Sequence, residues 1–575
     1  MPQETKQCQN CQQEFTIEPE DFEFYQKLKV PAPTWCPECR TIRRMTWRNE
    51  RSLYNRQCGL TGEKVITAFG PDSQTVIYSN KAWASDQWDP LDYGLDYDFD
   101  KTFFEQFKSL LSRVPLPATF IDTKSVNSEY CNHAENLKDC YLSFGVWRDE
   151  NVNYSNKVSV SKDVFDSLGA VNSELGYWLI TSDRIYASAF LQNCVNCNHS
   201  LFLFDCRGCT DCLGCVNLRN KSYCILNKQY SKEEYQKEKE KLQLHTWQGL
   251  EAFKAKFQEL KLKSIHRFAF LTKTENCTGD IISGAKNCHN CFEFHEAENV
   301  KNSVHGGFKM TDSADGYGVG GGAELVYEAV DTGLDGYRLL FNVLAWYSHN
   351  IEYCYNCRNC SDCFGCVSLR NKQYCILNKQ YTKEEYFKTV EKIKQQMNEK
   401  PYIDKQGRVY KYGEFFPPEL SPFAYNETIA QEYFSLTKEE ALKEGFKWKN
   451  REKRNYAITL KTEDIPNDIQ ELGQSICREV IQCATQSEQE RENNGCTMAF
   501  KIIPKELEFY KKMNLPLPRY CPNCRHFQRL RQKNPLKLYH RACMKEGCNN
   551  EFETTYSPDR PEIIYCERCY NEEVV

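Results

Sequence analysis

The chain has 575 residues, a net charge of −5, 41% hydrophobic and 27% charged residues, and 32 cysteines. Its length exceeds what one core sustains and implies about three or four domains, and its composition excludes a disordered chain. The near-neutral balance removes any global drive toward nucleic acid or an anionic membrane, so such binding would need local patches.

No run of 18 apolar residues occurs, and the opening MPQETKQCQNCQQEF lacks the apolar core of a signal peptide, which predicts a soluble, cytoplasmic protein. In a reducing cytosol, paired cysteines read as metal ligands. Two vicinal thiols bite one tetrahedral ion, and two such pairs close a Zn(Cys)4 site.

Residues 1–85 form the first predicted module, a zinc ribbon in which Cys8, Cys11, Cys36 and Cys39 make one complete quartet. Pro37 sits just inside the second knuckle, where a starting helix tolerates proline. Ile42 and Met45, three apart, would face the hairpin, while Arg40, Arg44 and Arg48 step by four along another face. A second site in the module is degenerate. Only Cys58 remains of it, with Ser79 and Ala82 where a second copy, described below, has cysteines. The expectation there is a metal-free ribbon whose hairpin is held by packing of VITAF against TVIYS, residues 65–69 and 75–79.

Residues 86–124 read as a connecting segment. Its aspartates, dense over residues 86–100, lack the Glu of a calcium-binding loop and read as turns and surface. Two Cys-rich repeats follow, residues 125–231 and 273–382. CRGCTDCLGCVNLRNKSYCILNKQYSKEEY, residues 206–235, recurs at 357–386 with 24 of 30 positions identical. Apolar clusters beginning at Cys140, Val164, Ile185 and Cys206, and a Tyr317–Tyr337 spacing of 20, suggest a β-solenoid with a period near 20 residues. Cys206, Cys209, Cys212 and Cys215, like Cys357, Cys360, Cys363 and Cys366, run at three-residue spacing. Such thiols either stack as small apolar core residues or hold an iron–sulfur cluster; the stack is preferred because the flanking features of a ferredoxin are missing.

A helical insert is predicted over 232–272, and a helix with a Pro- and aromatic-rich linker region over 383–476. Charged helices are expected at 231–262 and 382–399, a surface-wrapping stretch at 410–448, and a linker at 452–476. GYGVGGG, residues 316–322, lacks the Lys-Ser/Thr of a phosphate loop. No Cys–His or Ser–His–Asp set declares itself, so no catalytic or cofactor-binding residue is assigned.

Residues 477–575 read as a double zinc-ribbon module that repeats the first at an offset of 485. Cys11, Cys36, Cys39 and Cys58 map onto Cys496, Cys521, Cys524 and Cys543, and EFYQKLKVPAPTWCPECR maps onto EFYKKMNLPLPRYCPNCR. Asn493 falls opposite Cys8, so Cys483 is the substitute ligand, with residues 484–495 looped out. Cys543, Cys548, Cys566 and Cys569 form a further quartet, giving three expected zinc ions per chain. Arg525, Arg529 and Lys533 repeat the basic row. Two readings of the rows stand side by side: a solvated helix face, or a phosphate-binding ridge for RNA or DNA.

CPECR, FFPPELSPFAYNETIAQEYF, LPLPRYCPNCR and YSPDRPEIIYCERCY together resemble a family of uncharacterised bacterial proteins carrying several zinc-ribbon or treble-clef domains, and GCVNLRNKSYCILNKQYSKEEY resembles its repeat region. The resemblance implies zinc binding and no established reaction. The expected fold is therefore a multidomain, β-rich chain, with zinc-ribbon or treble-clef modules flanking a central β-solenoid-like region with charged helices. Two function classes are open. One is a zinc-binding, non-enzymatic adaptor for RNA, DNA or a ribonucleoprotein, with protein partners on the solenoid. The other is a metal- or redox-dependent enzyme using the tandem cysteines or a groove on the solenoid.

Overall fold

The computed structural model describes residues 2–450 and 456–575; the first residues of the expected 452–476 linker lie outside them. At each end of the chain the same local order recurs. A short antiparallel hairpin (Glu4–Gln7 with Glu14–Ile17, or Ile481–Gln482 with Ala499–Phe500) precedes a helix, Pro19–Leu28 or Pro504–Met513. Both helices stop on a left-handed residue, Lys29 or Asn514, which turns the chain toward the second knuckle. From that knuckle the helices Pro37–Met45 and Pro522–Leu530 start, capped by Cys36 and Cys521, with proline in the first turn.

The second ribbon of each module corrects one expectation. The hairpin pairs Tyr54–Gln57 with Lys64–Thr67, so VITAF and TVIYS do not pair with each other. Ile77–Tyr78 instead runs parallel to Leu116–Pro117 in the connecting segment. The C-terminal copy behaves alike: Tyr539–Ala542 pairs with Glu551–Thr554, while Ile563–Tyr565 runs parallel to Ile265–Arg267. In both copies the third strand ties the ribbon to another part of the chain.

The centre consists of two sheets, one of 10 strands and one of 11, parallel except for one antiparallel edge strand in each. In the first, Lys162 pairs with Glu174 and Glu174 with Tyr186, a step of 12 residues. In the second the step is 12 or 13, as in Phe292 with Val304 and Ala297 with Met310. The spacing near 20 read from the sequence is therefore replaced by 12. The cause is a finer period. Asn193, Asn196, His199, Phe202, Asp205, Gly208 and Asp211 all have positive φ, and such residues recur at every third position along both stacks. Left-handed backbone turns the chain, and Asn, Asp and Gly adopt it at least cost. Buried side chains recur at the same three-residue interval, four to a step of 12.

Those inward positions are the tandem cysteines. Cys206, Cys209, Cys212 and Cys215 are buried among Leu191, Leu203 and Val164; Cys357, Cys360, Cys363 and Cys366 lie among Leu339, Ile351 and Leu369. Their thiols donate to backbone carbonyls, as Cys206 Sγ does to Phe204 O and Cys215 O, each at 3.5 Å. Earlier steps hold serine at equivalent places. Ser143, Ser155 and Ser167 each donate to a carbonyl and accept from the backbone N–H 12 residues on. Cysteine and serine thus make the same donor contact. Cys209→Ser is expected to change stability by about 1 kcal/mol or less, whereas Cys209→Leu should cost about 1–3 kcal/mol through overpacking. Urea unfolding of the two variants tests this; equal costs would remove the steric account.

The helix expected over 231–262 is two helices, Lys232–Lys241 and Trp247–Lys263, parted at Leu242–Thr246, where Gln243 has positive φ and Thr246 caps the second helix. Lys383–Glu399 forms one helix. Residues 410–448 wrap the first module and the second stack, with Phe416 packed on Trp47 at 4.9 Å between ring centres.

Candidate metal centres and the basic helices

The three quartets named above come together. Cys8, Cys11, Cys36 and Cys39, then Cys483, Cys496, Cys521 and Cys524, then Cys543, Cys548, Cys566 and Cys569, each place four sulfurs within 4.8 Å of one another. Sulfur pairs measure 3.8 Å (Cys11–Cys36), 3.9 Å (Cys496–Cys521) and 3.9 Å (Cys548–Cys566). A tetrahedral zinc with bonds of about 2.3 Å requires sulfur separations of about 3.8 Å. The donor set and its size therefore fit a tetrathiolate metal ion.

One contact fixes the correspondence of the sites. The backbone N–H opening the second knuckle donates to the first sulfur: Cys36 to Cys8, Cys521 to Cys483, and Cys566 to Cys543, at 3.2–3.3 Å. Cys483 thus occupies the place of Cys8, and the looped segment 484–495 carries a short helix, Glu488–Asn493. In the degenerate site Ser79 N–H donates to Cys58 Sγ at 3.2 Å, and the Ser79 hydroxyl caps the helix that a second ligand pair would have opened. Further donors brace the thiolates, Asn10 Nδ2 on Cys39 at 3.4 Å and Thr485 Oγ1 on Cys524 at 3.1 Å.

The basic rows are placed otherwise than a phosphate ridge requires. Arg40, Arg44, Arg48, Arg525 and Arg529 are each at most 2% exposed, and the Lys533 side chain is buried. Arg40 pairs with Asp315 at 2.9 Å, and Arg44 with Glu328 at 2.9 Å and Asp315 at 3.3 Å. Arg48 pairs with Glu50 and Asp331. In the other module Arg525 and Arg529 share Asp166 at 2.7 and 2.8 Å, Arg525 also reaches Glu506, and Lys533 pairs with Glu293. The reading of these six residues as a nucleic-acid surface is corrected: their charges are neutralised inside the fold, and none faces solvent. The reason is that a stack covers the helix: in the first module even Met45 and Ile42 cluster with Phe292, Val304 and Tyr317 of that stack rather than with the hairpin. Sequence reasoning also missed Arg43, which bridges Glu328 and Glu414 at 2.8 Å each and lies 4.5 Å above the Trp35 ring.

The docking is crosswise. The first module's helix lies on the second stack, whose Asp315 and Glu328 it meets, and the last module's helix lies on the first stack at Asp166.

The buried pairs set an acid limit. Burial pushes the Glu50 carboxyl up, but Arg48, Lys157 and His133 outweigh it and hold Glu50 at about 2. Asp331 is held at about 2 by Arg48 and His133 against the same penalty. Both folded values lie below the ordinary 4.5 and 3.8, so their stabilisation is complete above pH 5 and is lost as pH falls toward 2. Glu432 acts in the opposite sense. Burial, with Glu50 nearby, raises it to about 7 despite Arg51, so its contribution is present in acid and lost as pH rises from 4.5 through about 7. The urea midpoint is expected to fall between pH 5 and 3; a flat profile there would contradict the pairing.

No protein-family model and no curated protein matches the chain. Among solved structures, one described as a "putative acetyltransferase from Desulfovibrio desulfuricans G20" aligns over 50% of this chain and 74% of its own at 10% identity. Its TM-score of 0.10 carries no statement of fold or activity. No helix among the described residues is long and apolar enough to cross a membrane.

Proposed function

We propose that the chain is a zinc-binding, non-enzymatic scaffold with three Zn(Cys)4 clasps, two of which hold arginine-bearing helices against a four-sided β-solenoid. The outer faces of the solenoid are offered to a protein partner. The observation that supports this best is the repeated docking: in each module the knuckle that contributes two sulfurs also starts the helix whose arginines share one buried aspartate, Asp315 or Asp166. Metal binding therefore positions the internal ion pairs. A closed tetrathiolate site has no open position for water or substrate, which favours architecture over catalysis. The thiols, all free, suit a reducing compartment such as the cytoplasm.

Elemental analysis of metal-replete protein tests the reading. Three zinc ions per chain are expected, and one or fewer would overturn it. Iron with acid-labile sulfide would instead move the tandem cysteines to a redox role.

A further inference from the structure

Two cavities lie side by side where the first stack, the helix Trp247–Lys263 and the C-terminal module meet. One, of about 80 Å³, is lined by Trp178, Phe190, Phe202, Phe257, Pro518 and Tyr520, with Glu251, Arg519 and Arg525 also on its wall. Phe190 and Phe202, both on this wall, stack with centres 4.5 Å apart and planes within 4°. The other, of about 50 Å³, is polar and includes Lys261, His266, Asp280 and Tyr556. Gln192 and Gln532 line both. The same helix runs past both chambers, giving Leu250, Lys254 and Phe257 to the aromatic one and Lys261 to the polar one, positions on one helical face.

Two charges of the polar chamber, Asp280 and Lys261, have no ion-pair partner among the described residues. Lys533 pairs with Glu293 and Arg560 with Glu562, while Asp280 accepts from Phe270 N–H and Thr555 Oγ1. Lys261 has no carboxylate within 4 Å among the described residues. Its ammonium donates to Gln192 Oε1 at 2.6 Å and lies 4.2 Å above the Phe204 ring. Burial pushes Lys261 down to about 8 against the opposing pull of Glu562. The Gln192 amide, whose Nε2 donates to Gln532 O at 2.8 Å, stands between the chambers with its oxygen where an anionic head would be held.

We propose that the paired cavities bind a small aromatic carboxylate, its ring against the Phe190–Phe202 wall and its carboxylate on Lys261 in place of Gln192 Oε1. A cation partly removed from water gains most from a carboxylate, because the pair then makes a charge-assisted hydrogen bond. The aromatic wall selects a flat body. Neither the zinc stoichiometry nor the scaffold role is required for this, so the two readings fail separately.

The test is calorimetric titration of the full, zinc-loaded chain with 2-naphthoate and with its neutral isostere 2-naphthamide. The carboxylate is expected to bind about tenfold or more tighter than the amide. Lys261→Gln should abolish that preference while leaving amide binding unchanged, and Lys261→Arg should keep it. Zinc content and thermal unfolding of each variant establish that it is folded. No heat from naphthoate at millimolar concentration, equal binding of acid and amide, or an unchanged preference in Lys261→Gln would each overturn the proposal.

Discussion

Removing the metal with a strong chelator is expected to unfold both end modules. The strands of the hairpins around each quartet are only two to four residues long. Structural zinc contributes about 10–16 kcal/mol of apparent binding free energy in small thiolate domains, far more than such hairpins supply by packing. Cys39→Ser or Cys521→Ser should therefore release its own module from the stack, with loss of one zinc. Cys58→Ser, in the degenerate site, should cost only about 1–2 kcal/mol. Protease susceptibility of residues 1–85 and 477–575, followed with and without chelator, reads this directly. Unchanged protection after complete zinc loss would show that the metal is incidental to the modules.

Asp166→Ala and Asp315→Ala are each expected to lower stability by about 3–5 kcal/mol, the cost of leaving a buried charge without its partner. Each aspartate meets two guanidiniums, Arg525 and Arg529 or Arg40 and Arg44. The loss should be smaller when the cation goes as well: Asp315→Ala with Arg44→Leu should cost less than the sum of the two single changes. Urea unfolding of the four proteins closes that cycle. Additive losses would mean that Asp315 and Arg44 do not interact. Arg44→Glu and Arg529→Glu, which place like charges together, should be the most damaging single changes in the helices.

Much of the candidate metal chemistry could be read along the chain because ligands come in knuckles. The offset of 485 linked Cys483 to the place of Cys8 across a looped segment, and the N–H contact to sulfur agrees with it. The partners of the arginines had no such signal. Arg40 and Asp315 are 275 residues apart, and Arg529 and Asp166 are 363 apart, so nothing local distinguishes a docked basic face from a solvated one. The period of the centre was legible and overlooked. Cys206, Cys209, Cys212 and Cys215 reveal the three-residue side directly, while apolar clusters spaced 20–24 residues mixed complete turns with partial ones. The break between the helices at 242–246 was hidden by an uninterrupted run of Lys and Glu before it.

Crosswise docking has a consequence for how the protein is made. The helix carrying Arg40, Arg44 and Arg48 leaves the ribosome long before Asp315 exists, since 275 residues separate Arg40 from its carboxylate. At about 5–20 residues per second that interval is roughly 14–55 s. During it the arginines of the first module have no carboxylate of the second stack to meet. The last module faces no such delay, because Asp166 precedes Arg529 by 363 residues. The two ends of one architecture thus have opposite histories: the first waits for the surface it docks on, and the last docks onto a surface already complete.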